Sequence, residues 1–390
     1  MHVPWRLVSV AVSVAALMVS SGAVLRTRLA SSPAARVDAV IPVGSRPAAA
    51  LTVDDDGVWI SNDGDGSISR IDPNTNQVVA TIKMGPPLCD HCLGTVAERD
   101  GTVWATSSSA RLTLMRIDPA SNKLTASSEL PIFPSIMLSA GDGSLWLAST
   151  LDGEVIRINP KTGKVLATVA IPGVQALTEG DGTIWATART GMANGHVARI
   201  DPTTNQLAGE ADVPIQPAAA RFVDQALWIV DEGGGDVVRF DPTTNSINDA
   251  LHVGFAPTGL AVANGWLWVV SGATGAVDGP SLTQINPRDA TVAGTIALGR
   301  GNAIGLAAGA RGLWVVNREP DVVMRIGLAA PAPADEVNVV LGMMLGLIAA
   351  VVALPFASRL RAGPPPAPLP HGTLLSDLRR FTVRRAAERG

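Results

Sequence analysis

Charge, sulfur and imidazole are scarce in this chain: 16% of its residues are charged, two are cysteine and five are histidine. Each scarcity excludes something. A structural zinc site usually draws on four protein ligands, and beyond Cys89 and Cys92 there is no further thiol. Haem c attachment needs a His directly after the second Cys of such a pair, where this chain has Leu93. Basic residues are short where a nucleic acid would need them. Residues 37–358 hold 19 basic against 32 acidic residues, a net charge of −13, and phosphate contacts need a basic face. What is abundant is apolar and turn-forming: 47% hydrophobic residues, 39 Gly and 28 Pro. That composition describes a folded, turn-rich protein rather than a disordered one.

Two segments stand apart from a soluble fold. Leu7 to Leu25 is apolar or small throughout and follows Arg6. It reads as a secretory signal or an uncleaved signal anchor, with Ser21-Gly22-Ala23 as a small-x-small cleavage candidate. Val337 to Ala357 is a run of 21 residues without a charge, enough to span a hydrocarbon core of roughly 30 Å. The tail after it carries seven Arg against Asp377 and Glu388, a net of +5, which places that tail in the cytoplasm by the positive-inside rule. The expected organisation is a leader or anchor over residues 1–35, a folded domain over 36–328, a linker over 329–336, a transmembrane helix over 337–357 and a basic tail over 358–390. The folded domain then faces the outside of a bacterial plasma membrane.

Within the domain the tryptophans are periodic. Trp59, Trp104, Trp146, Trp185, Trp228, Trp268 and Trp314 stand 45, 42, 39, 43, 40 and 46 residues apart. Tight turns precede most of them, as in Asp54–Gly57, Gly141–Gly143, Gly180–Gly182 and Asn264-Gly265; Asp-Gly and Asn-Gly pairs accept the positive φ of two-residue hairpins. After six of them comes a second turn, DPNTN at Asp72 and its relatives at Asp118, Asn159, Asp201, Asp241 and Asn286. There Pro sets φ, the Asp or Asn side chain accepts from an amide two residues on, and Asn or Gly takes a left-handed position. A period near 40 with four short apolar runs per copy specifies one four-stranded antiparallel blade per repeat. The strands are nearly continuously apolar, which calls for sheets covered on both faces. The Trp is expected to pack between blades.

The seventh copy lacks a fourth strand. It ends in MRIGL (Met324–Leu328), while RVDAVIPVG (Arg36–Gly44) reads like QVVATIKMG (Gln77–Gly85) yet precedes the first Trp. The expectation is an all-β, seven-bladed β-propeller, flanked by hydrophobic helices, in which residues 36–44 complete blade seven beside residues 321–326. Such closure pairs the two ends of the domain and removes exposed sheet edges.

The second strands at Gly57–Asn62 and Gly312–Asn317, the RIDPxTN turns at Arg70–Asn76 and Arg199–Asn205, and the VxxTIxxG runs at Val79–Gly85 and Val292–Gly299 resemble the YVTN-type and virginiamycin B lyase-like seven-bladed propellers of bacterial envelopes. The resemblance covers about residues 36–328 and implies the fold. Its family includes lyases that open a streptogramin lactone, so it also implies a possible His general base with a carboxylate and a metal. No catalytic residue is carried over. His252 falls on an outer strand, which leaves His91 and His196 as candidate bases, with Asp90 and Arg189 as neighbours.

Loops joining strands two and three, and strand four to the next blade, share one face of such a propeller, and binding sites favour loop-built concave surfaces. Those loops carry Arg46, Arg300 and Arg318 around blade seven and Asp63, Asp65, Asp231 and Glu232 on blades one and five. Arginines set against carboxylates across a mouth suit an anionic or zwitterionic ligand; solvated loop charges are the plainer account. DGDGS at Asp63–Ser67 begins like a calcium loop, but its sixth position is Ile68 and its twelfth Asn74, so a polar Gly turn is expected instead. Cys89 and Cys92 are expected to form a local disulfide outside the membrane. In the tail, Leu374–Arg389 reads as a basic amphipathic helix on anionic lipid or a dock for a cytoplasmic partner. The sequence-level expectation is a membrane-tethered binding scaffold for a protein or small anion, with no cofactor, no metal and no catalysis. The alternatives are a streptogramin-type lyase and an envelope sensor acting through the Arg-rich tail.

Overall fold

Each Trp-centred repeat forms one four-stranded antiparallel sheet. In blade one the strands are Pro47–Val53, Val58–Asn62, Ser67–Asp72 and Gln77–Lys83, hydrogen-bonded in that order. The same order repeats over residues 96–129, 136–170, 174–213, 217–252 and 257–297. The structure is a computed structural model, and it describes residues 35–84, 94–99, 101–107, 113–132, 136–139, 143–191, 194–272, 279–309 and 311–328. The apolar segments at 7–25 and 337–357, the tail and the Cys89–Cys92 insertion lie outside the described residues. Among the described residues no helix is long and apolar enough to cross a membrane.

Blade seven is assembled from both ends of the domain. Its strands Asn302–Gly309, Gly312–Arg318 and Val322–Leu328 are joined by Ala35–Pro42, which pairs antiparallel with Val322–Leu328. The register repeats that of a continuous blade. Arg70 pairs with Ala80 and Ile71 with Val78, a bulge of one residue; Arg325 pairs with Ala39 and Ile326 with Val37, the same bulge at the same place. The first strand of each blade is innermost, and each touches the first strands of its two neighbours, so the seven enclose a central opening. Blades seven and one meet so closely there that a Cβ on Gly305 would collide with the Ala49 carbonyl, which glycine alone avoids.

The seven tryptophans pack between blades. Trp59 joins Val96, Val103 and Ile117 of blade two, Trp185 joins Leu227, Ile229 and Phe240 of blade five, and Trp314 joins Val58 and Ile60 of blade one. Second strands are buried end to end, as in Val58–Asn62 and Leu145–Ser149. Fourth strands differ from the sequence expectation of cover on both faces: Val79, Leu166 and Val292 are exposed. Blades diverge from the axis like spokes, so the gap between neighbours widens outward and the outermost strand is the one left uncovered.

The Asp-Pro-x-Thr-Asn turns have the geometry their chemistry calls for. Asp72, Asp118, Asp201 and Asp241 each accept from the amide two residues on, at 2.7–3.1 Å. Asn76, Asn122, Asn205 and Asn245 all sit at positive φ. Hydrogen bonds hold the four Asp carboxyls below their ordinary value, chiefly from that amide at Asp72 and Asp201, from the Ser121 hydroxyl at Asp118 and from the Thr243 hydroxyl at Asp241, which falls to about 2. The turns also tie blades together. Arg70 lies 5.0 Å over Trp59 and donates to Pro119 O and Asn122 Oδ1 of blade two. Arg157 reaches Pro202 O and Asn205 Oδ1 of blade four in the same way, and Arg325 reaches Pro73 O and Asn76 Oδ1 of blade one.

Candidate functional site

The loops between strands two and three lie at one end of the propeller, and two charge clusters form there. The first is at the junction of blades seven and one. Asp63 follows the buried second strand and is itself only 2% exposed. Its Oδ1 accepts from the Gly94 amide at 3.0 Å and from Ser61 Oγ at 3.3 Å, while Arg318 Nη2 lies 4.0 Å from its Oδ2. Burial pushes its carboxyl up to about 6, against the Gly94 hydrogen bond and the nearby charges of Arg318 and Arg46, which pull it down. The Arg46 carbonyl accepts from the Asp63 amide at 3.0 Å, and Arg318 Nε donates to Pro47 O at 2.8 Å. Asp65 accepts from the Ser45 amide and from Ser67 Oγ. Asn62 and Asn317 are buried beside this cluster, and each leaves its Oδ1 without a hydrogen bond.

The second cluster is at the junction of blades four and five. Arg189 forms an ion pair with Glu232 and donates from Nε to Pro217 O at 3.1 Å. Asp231 Oδ1 accepts from the Gln216 amide at 2.9 Å. Asp63, Arg318, Arg189 and Asp231 thus share a habit: each holds the crossover chain that enters a blade, and Arg46 belongs to one such chain. The arrangement differs from arginines facing carboxylates across a mouth. Opposite charges sit side by side within one junction, because a loop carboxylate turned inward is stabilised by the nearest guanidinium and amide rather than by a distant one. Arg300 stays exposed; its backbone carbonyl accepts from Asn317 Nδ2.

His196 is not a loop residue. It sits on the third strand of blade four, Gly195–Asp201, with Nε2 3.9 Å from Glu210 Oε1 of the outer strand and no hydrogen-bond partner for that nitrogen. Arg189 turns toward blade five instead, so these two expected neighbours are not brought together. His252 pairs with Asp236 at 2.9 Å on the outer strand. Asp90 and His91 lie outside the described residues. Among the described residues no group of three or more His, Cys, Asp or Glu is placed to hold a metal ion. A groove of about 620 Å³ lies at the opposite end of the propeller, between blades one and two, lined by Asp54, Asp55, Arg70, Glu98 and Asp118. No motif pointed to it, because its walls are turn residues with structural duties.

No protein-family model matches the sequence, and no curated protein does. Solved structures do. A catalytically inactive histidine-to-alanine variant of virginiamycin B lyase from Staphylococcus aureus, holding quinupristin, aligns with a TM-score of 0.60 at 19% identity, over 76% of this chain and 100% of that one. A streptogramin B lyase structure aligns with a TM-score of 0.62 at 17% identity over the same shares. The chain folds as a seven-bladed β-propeller similar to these two structures. At these identities the likeness speaks for the fold. Of the two described histidines, His196 faces the outer strand of blade four, and His252 sits on the outer strand of blade five beside Asp236 of the third strand.

Proposed function

We propose that this protein is a membrane-anchored, extracytoplasmic propeller of a bacterial plasma membrane that binds a protein or small anionic ligand and performs no chemistry on it. The reading rests on the junction of blades seven and one, where Arg318 and Arg46 gather around Asp63 at the loop end of the propeller. Such a group can recognise a polar ligand through directed hydrogen bonds. The two histidines among the described residues, His196 and His252, lie on blades four and five, away from this junction. The apolar run at 337–357 and the basic tail supply the anchor and its orientation.

The second reading is a lyase, favoured by the propeller's alignment with the full length of two streptogramin-lyase structures. One experiment separates them. The full-length chain in detergent is incubated with quinupristin and divalent metal, and loss of the intact cyclic ester is followed by chromatography. In parallel, cross-linking in intact cells compares the wild type with Arg318→Ala. No ester turnover, with captured material lost in the variant, supports the scaffold. Ester turnover, or capture indifferent to Arg318, overturns it.

A further inference from the structure

The innermost strand of blade five, Pro217–Val223, carries an arginine opposite its tryptophan, at a position that is uncharged in the other blades. Side chains alternate along it. Ala220 packs into the core between blades four and five with Phe222 against it, while Ala219 and Val223 pack against the core between blades five and six. Arg221 belongs to the second set and lies opposite Trp228 in register. The positions opposite the tryptophans of the other six blades are Thr52, Ala97, Leu138, Thr178, Ala261 and Ala307, none of them charged. Packing at this ring therefore has no need of an arginine.

Arg221 is also poorly satisfied. A guanidinium offers five donors and stays charged in proteins. Its one hydrogen bond among the described residues is from Nη2 to Leu260 O on the innermost strand of blade six, at 3.5 Å. Burial pushes the group below its ordinary pKa, and no neighbouring charge contributes in either direction. A charge held largely out of water with a single long hydrogen bond costs free energy unless something compensates it. The side chain keeps partial exposure, and its strand is one of the seven that enclose the central opening.

We propose that Arg221 is a small-oxyanion site at the wall of the central opening, taking a carboxylate or an inorganic phosphate through the planar guanidinium fork. This site is separate from the loop-face cluster, and its ligand reaches it along the axis. Bidentate pairing suits those two anions and would supply the counter-charge that the blades themselves do not.

The test is titration calorimetry and thermal unfolding of the full-length chain in detergent, with inorganic phosphate and with acetate, at ionic strength held constant with chloride. A ligand that binds only the folded state raises its Tm with concentration. The expected result is one site in the wild type, absent in Arg221→Met, which is as stable as the wild type or more so in anion-free buffer. A response to phosphate alone assigns a phosphate, and a response to acetate alone assigns a carboxylate. Arg221→Lys keeps the charge without the fork and should bind at least about tenfold more weakly, so it carries the test if the Met variant fails to fold. Equal responses in wild type and Arg221→Met, an adventitious ion only, overturn the proposal. So does unchanged affinity in Arg221→Lys.

Discussion

Asp63 shows how one residue changes meaning when the chain folds. In sequence it is a polar loop residue between Asn62 and Gly64. In the structure the amide of Gly94, 31 residues on, caps it, and the protein closes over it. Nothing local in NDGDG announces either fact, because loop carboxylates are assumed solvated and the capping amide comes from the next blade. Burial gives it a signature in pH. Its folded-state value of about 6 lies above the ordinary 3.8, so between those two the folded state keeps a proton that the unfolded chain has released. The stability this contributes is full below pH 3.8 and is lost as pH rises through about 6. A shift of about two units corresponds to roughly 3 kcal/mol. Asp63→Asn should therefore remove a slope of that order between pH 4 and 6, and at pH 8 should be more stable than the wild type by about 1–3 kcal/mol. Denaturant unfolding at pH 4, 6 and 8 measures both. Parallel pH profiles for the two proteins would show that Asp63 is not the group responsible.

Among elements, the strand Ala35–Pro42 joins the ends of the domain, and its two faces should respond differently. Ile41 is 4% exposed and packs with Trp314, Val323, Val58 and Ile60, which belong to blades seven and one. Val40 is 57% exposed. Ile41→Ala should cost about 2–4 kcal/mol by lost transfer and cavity energy, and Val40→Ala less than about 0.5 kcal/mol, read from denaturant midpoints. Equal effects would mean the strand frays from the blade in solution. This strand was legible beforehand because Arg36–Gly44 follows the pattern of Gln77–Gly85, with Val37, Ala39, Ile41 and Gly44 standing where Val78, Ala80, Ile82 and Gly85 stand there. The turns and tryptophans were legible for a similar reason: Asp, Pro, Asn and Gly declare their φ angles, and one large aromatic at a fixed period declares a repeated core. The exposure of the fourth strands was not legible. Val78-Val79 and Val165-Leu166 look like core in sequence, and only the outward widening between blades uncovers them. The bridge from Arg70 to Asn122 was equally hidden, since it joins two copies of a motif across 52 residues.

That bridge explains an irregularity of the whole ring. A strand-three arginine is joined to an asparagine in the next blade's turn from blade one to two, three to four and seven to one, while from four to five Arg199 reaches only the Pro242 carbonyl of that turn. Blade three offers Gly163 at that turn position and blade six offers Ala290, both at positive φ but without an acceptor side chain; Arg239 of blade five pairs instead with Asp249 of its own blade. Blade six has Gln284 in place of the arginine, opposite Trp268 as Arg70 is opposite Trp59. Its neighbour, blade seven, has no turn between strands three and four, because those strands come from opposite ends of the domain. There is nothing for an arginine to reach, and a buried guanidinium without a partner is costly. The register makes this testable. Gly327 pairs with Arg36 as Asp72 pairs with Gln77, so a circular permutant can run Ile326, Asp, Pro, Thr, Thr, Asn, Arg36, with new ends opened within 85–93. It should fold into the same ring, with a hairpin closing blade seven. Gln284→Arg should then stabilise the permutant by about 1–2 kcal/mol through the new asparagine, yet destabilise the native connectivity, where the turn is missing. The difference between the two backgrounds, measured as a double-mutant cycle, isolates the bridge. A cycle that sums to zero would mean that the arginines on the tryptophans act within their own blades and that the turns do not join one blade to the next.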